Sequence, residues 1–152
     1  MASIQLRTIL VVLALFLSAC ASTKPPPGDT DLRLQAANHY FGGRYEYLIV
    51  HSSGQLADTL SNRTSALTGA SQVARDFATR LARAEKSTLR ILISGADPKR
   101  TLKVIRDAFA FHASSNLPGL ELLFLGEPRL EATVRKLVQT VGGKFRFAAF
   151  EG

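Results

Sequence analysis

The 152-residue chain has a single cysteine, Cys20, and so cannot close an internal disulfide. The same count excludes a metal centre built from several thiolates. Histidine is nearly as scarce. His39, His51 and His112 stand far apart with no ligand spacing between them, and no metal is expected. The signatures of phosphate binding and of an activated serine are missing as well. There is no Walker loop, Gly95 and Gly126 are isolated rather than part of a G-x-G-x-x-G turn, and no serine sits in a G-x-S-x-G elbow. Neither a cofactor nor a catalytic constellation is therefore expected. Long apolar runs are absent too. The longest, Ile9 to Leu17, falls well short of the about 20 residues needed to cross a bilayer core.

What that short run does have is flanks. Arg7 precedes it, and Leu17-Ser18-Ala19-Cys20 closes it. A basic start, a brief apolar centre and small residues before a cleavage point are the parts of a secretory signal. Leu17, Ser18, Ala19 and Cys20 fill all four places of a lipobox, and this stretch resembles the signals of bacterial lipoproteins. The resemblance implies cleavage before Cys20, a diacylglycerol thioether on its sulfur and an acyl group on its amine. Because Ala21 follows, and not Asp, it also implies sorting to the outer membrane, on its periplasmic face. One acyl chain holds a protein only marginally, at about 0.8 kcal/mol per buried CH₂, whereas three chains on one residue hold it for good.

The segment Ala21 to Asp29 is polar and then proline-rich, without apolar periodicity, and reads as an extended tether. At ~3.1 Å per residue it reaches about 28 Å, which keeps the following domain near its membrane. The division expected is a signal over 1–19, an acylated tether over 20–29 and one periplasmic domain over 30–152. Acidic residues are outnumbered, 12 against 19 basic, for a net charge of +7. In an exported protein that excess points away from nucleic acid and toward anionic headgroups, an anionic envelope polymer or an acidic protein face. The bland alternative is a solvated basic surface.

Beyond the tether, pattern alternates between strand and helix. Asp31 to Phe41 reads as a short helix with Leu32, Leu34, Ala36 and Ala37 on its apolar side, stopped by Gly42-Gly43. YEYLIVHS, from Tyr45 to Ser52, is a strand covered on both faces. Gln55 to Gly69 has no clear period. Ser71 to Ala84 is amphipathic, with Val73, Phe77 and Leu81 inside. LRILIS, from Leu89, is followed by Asp97-Pro98, a capping carboxylate with proline at the first turn of a helix running to about His112. LELLFL, from Leu120, precedes a helix over Pro128 to Val141, and KFRFAAF from Lys144 is the last strand. The expected fold is α/β, with about four mostly parallel strands and helices on both faces in three layers. The final strand is a candidate for antiparallel pairing at an edge.

Three turns should share the carboxyl edge of such a sheet: His51 to Gly54, Ser94 to Asp97 and Gly126 to Arg129. The candidate ligand-binding residues there are His51, Ser53, Ser94, Asp97, Arg100 and Arg129, beside helix N-termini that favour anions. The competing account makes Asp97 a helix cap, the glycines turn formers and the basic residues solvated. Three functions follow. One is an envelope lipoprotein whose domain binds a partner in scaffolding, assembly or secretion. The second is a module for an anionic small molecule or glycan at the carboxyl edge. The third is an envelope hydrolase, disfavoured because adjacent His51 and Ser52 would point to opposite faces of one strand.

Overall fold

A computed structural model describes residues 29–51 and 70–150. The lipobox with Cys20, the tether up to Gly28, Ser53 and the patternless stretch Gln55 to Gly69 all lie outside those residues. The described order is α1 (Asp29–Phe41), β1 (Glu46–Val50), α2 (Gln72–Leu81), a 3₁₀ turn (Ala82–Glu85), β2 (Leu89–Gly95), α3 (Pro98–Ala110), β3 (Leu120–Gly126), α4 (Pro128–Thr140) and β4 (Lys144–Ala149). Asp29, expected at the end of the tether, is already helical.

The four strands form one sheet in the order β1-β2-β3-β4, and all three pairings are parallel. The last strand therefore is not antiparallel. α4 carries the chain back to the amino end of the sheet, so β4 leaves in the same direction as β3. Right-handed crossovers between successive neighbours place every described connecting helix on one face. The packing agrees. Phe77 and Leu81 of α2, Ile105 and Phe109 of α3, and Val134 and Val138 of α4 share a core with Leu89, Ile91, Ile93, Leu120, Leu122 and Phe124. Within it the Phe77 and Phe109 rings meet edge to face, 6.2 Å between centroids.

The opposite face has one described helix, α1, which packs Ala37 on Leu92, Leu123 and Leu125 with Leu34, Tyr40 and Phe41 around it. The three-layer arrangement is thus present but lopsided. Leu32, expected inside, is 43 % exposed, and the buried polar member of α1 is Arg33. The two helices with the plainest end signals behave as their sequences dictate. Asp97 Oδ1 accepts from the Lys99 and Arg100 N–H groups at 2.9 and 3.1 Å. At the far end of α4, Gly142 takes φ +78°, and Gly143 N–H bonds Val138 O at 3.0 Å, closing the last turn.

A monotonic strand order has one consequence for function. Ligand crevices in open α/β sheets form where strand order reverses and crossovers diverge to opposite faces. Among the described strands no such reversal occurs, and the described part of the carboxyl edge is built from turns.

Candidate functional site at the carboxyl edge

The β2–α3 and β3–α4 turns do stand side by side at that edge. Between them lies a cavity of about 370 Å³. Pro98, Phe124, Leu125, Pro128, Leu130 and Phe150 line it together with Thr101, Glu127 and Arg129. This volume falls in the low range of small-molecule pockets, which are mostly apolar with a few placed polar groups. Gly95 lines it where a Cβ would stand 2.8 Å from the Val50 carbonyl oxygen, so the close approach of β1 and β2 demands glycine. The Thr101 hydroxyl on the wall donates to the Asp97 carbonyl at 2.7 Å.

The residues singled out from sequence fare differently. Arg129 lines the cavity; its guanidinium pairs with Glu127, and its side chain is 67 % exposed. Asp97 is the cap of α3. Arg100 lies one turn into α3 and is half-buried. His51 is exposed just past β1, and no hydrogen bond joins it to Ser94 or Asp97. Ser94 is fully buried, on the α1 side of the sheet, with its hydroxyl donated to the Leu125 carbonyl at 2.7 Å. The cavity thus gathers Arg129 but neither His51, Ser94, Asp97 nor Arg100.

Ser94 belongs to a cluster that sequence reasoning did not anticipate. Arg33, 1 % exposed, reaches from α1 to the Ser94 hydroxyl with Nη1 and to Asp29 with Nε and Nη2, both at 3.0 Å. Its guanidinium lies over the Phe150 ring, 4.1 Å from the centroid. Phe150 is held in turn by its N–H to the Gly126 carbonyl at 3.1 Å. One signal was available: Asp29 and Arg33 are four apart, the spacing of an ion pair on a helix. That Arg33 turns inward was not readable, because its neighbours Leu32 and Leu34 looked like the buried ones.

A second charged row crosses the same face at the amino end. Arg90 of β2 donates to Glu121 of β3 at 3.0 Å, and Lys144 of β4 reaches the other Glu121 oxygen at 3.2 Å. The Arg90 hydrogen bond, helped by Lys144, holds the Glu121 carboxyl below its ordinary range despite some burial pushing the other way. His112, expected as a hydrogen-bonded histidine near the end of its helix, is buried, with Nε2 2.8 Å from the Ala78 carbonyl oxygen.

Among the described residues no cluster of three His, Cys, Asp or Glu could hold a metal ion, and no helix is long and apolar enough to cross a membrane. The edge can enclose a small group of mixed polarity beside one charge pair. Ser94 donates its hydroxyl proton to the Leu125 carbonyl, and no described histidine is hydrogen-bonded to it as the base that would activate a nucleophile. No known family, curated protein or solved structure matches the chain.

Proposed function

We propose that this protein is a lipid-anchored envelope component, held to the outer membrane through Cys20, whose α/β domain binds a protein partner. The observation that carries the reading is the stretch from Arg7 to Cys20, with every place of the lipobox filled. The arrangement of the domain supports the binding half of it. Among the described residues no hydrogen bond joins His51 to Ser94, and the exposed basic side chains of β4, Lys144 and Arg146, lie on the sheet face away from the three crossover helices. Palmitate labelling of cells expressing the chain tests the anchor. The parent should incorporate label and sediment with outer membrane, and Cys20→Ser should reduce incorporation at least tenfold and leave the protein in the signal-retaining form. Label persisting in the Cys20→Ser protein would overturn it.

The alternative of an anionic small molecule or glycan at the carboxyl edge is favoured by the 370 Å³ cavity. It ranks second because the charge nearest the cavity, Arg129, is already matched by Glu127.

A further inference from the structure

The two outer strands of the sheet are finished differently. At β1, Arg80 donates to the Tyr47 carbonyl at 3.3 Å, and Glu46 binds Arg83 at 2.6 Å, so helix α2 and the turn after it reach across to that strand. At β4 no described side chain bonds the strand's own backbone, and on its outer side no described strand pairs with it. A row of unanswered N–H and C=O groups is a template for another strand.

The side chains of β4 say which kind. On the α1 side of the sheet stand Lys144 and Arg146, both exposed; on the helix side stand Phe145 and Phe147, both half-buried. The charges crossing the sheet alternate in sign from strand to strand, Arg90, then Glu121, then Lys144, each neighbouring pair bonded. The next position outward calls for an acid. One step along, Arg146 pairs in register with Leu123 and meets no acid among the described residues. The nearby acids are already engaged: Glu121 by Arg90 and Lys144, and Glu131 by Arg135, whose guanidinium lies 4.8 Å from the centroid of Phe145.

We infer that β4 is a docking edge for an extended segment of a partner protein in which acidic and apolar residues alternate, added to the sheet as a fifth strand. Its backbone bonds the free side of β4, its acids face Lys144 and Arg146, and its apolar residues extend the core past Phe145 and Phe147. Strand alternation makes that two-residue period obligatory. A second copy of this chain fits poorly, because joining two β4 edges brings two Lys144 and two Arg146 together on one face. The chain's own Ala21 to Gly28 fits no better: it has Lys24, three prolines lacking N–H groups, and no acid. This inference deepens the partner-binding reading by giving the partner a chemistry, and it does not depend on the anchor at Cys20.

The test uses the full chain, purified in nonionic detergent, and a fluorescein-labelled nine-residue peptide of alternating Glu and Val with Thr at each end. Anisotropy should report saturable binding. A Lys/Val counterpart should not bind, and a peptide with the same Glu and Val grouped in blocks should bind at least tenfold more weakly. Arg146→Glu should weaken the alternating peptide at least tenfold, whereas Lys86→Glu, in the turn before β2, should change it less than twofold. On the parent protein, the alternating peptide should slow hydrogen exchange at amides of 144–149. Equal binding of the alternating and block peptides, no change in Arg146→Glu, or slowed exchange confined to β1 or the helices would overturn the inference. So would a dimer whose formation slows the same amides without peptide, or phosphatidylglycerol vesicles doing so where the peptide does not. Peptide binding proceeds whether or not Cys20→Ser loses its label, so the two readings fail separately.

Discussion

A guanidinium with 1 % exposure has to replace its water shell, and Arg33 does so with a carboxylate, a hydroxyl and an aromatic face. The carboxylate, Asp29, stays more than half exposed, so the pair is only half desolvated. Removing the two partners should have opposite results. Arg33→Met keeps the volume, and Ser94 retains its bond to Leu125, so stability should change by less than about 1 kcal/mol. Asp29→Ala leaves the buried cation without a counter-charge and should cost about 1–3 kcal/mol. Urea melts of the two variants distinguish these outcomes; an Arg33→Met loss larger than that of Asp29→Ala would contradict the assignment. Glu121 makes a prediction about pH. Its carboxyl is held low in the folded state, so its contribution is in place above the ordinary carboxylate range, about 4.3. That contribution disappears as pH falls from there through the lower folded-state value. Its partners are partly exposed, which limits the effect to about 0–1 kcal/mol. Glu121→Gln should flatten the acid limb of the stability curve by that amount and leave the neutral region little changed in slope.

Elements differ in how firmly the sequence commits them. α3 buries Thr101, Val104, Ile105, Ala108 and Phe109, and its start is written in Asp97-Pro98. α1 buries only Arg33 and Ala37. At about 1.5–3 kcal/mol for each large apolar side chain taken from water, the difference decides which helix opens first. Backbone amides of α1 should exchange at least tenfold faster than those of β2 and β3, in a measurement by mass spectrometry on the intact chain. Equal protection would show that the Arg33 cluster fastens α1 more strongly than its packing implies. The same contrast explains what was readable beforehand. Strands such as LRILIS and LELLFL are apolar on both faces and announce a doubly covered sheet, and Val134 and Val138 repeat at helical spacing. α1 has no such period, and so its inward arginine stayed hidden. The direction of β4 was not readable in the strand itself either. Phe145 and Phe147 alternate with Lys144 and Arg146 in either direction of pairing, so the strand's own pattern is silent, and the helix expected before it was the one signal for the parallel direction. Of the edge residues, Asp97 announced its capping role through the proline after it, while nothing local told that Ser94 would face α1 and leave Arg129 alone at the cavity.

At the scale of the whole molecule, strand order sets the functional layout. Because β1 to β4 follow one another without reversal, the described crossover helices load one face, and among the described residues the carboxyl edge has turns but no diverging crevice. α1 runs on the other face from Arg33, beside Ser94 and Phe150 at the carboxyl edge. The first described residue, Asp29, stands at that edge through its bonds to Arg33. On the outer side of β4 no described strand pairs with it, which is where the proposed partner strand would add. The proposed anchor makes Cys20 the first residue of the mature chain and its only attachment. Intact-mass and N-terminal peptide mass spectrometry of protein recovered from the membrane fraction addresses that directly. The expected product is a chain beginning at Cys20 with a diacylglycerol and one further acyl group on it; a chain beginning elsewhere, or a Cys20 with a free thiol, would contradict the lipid-anchored reading.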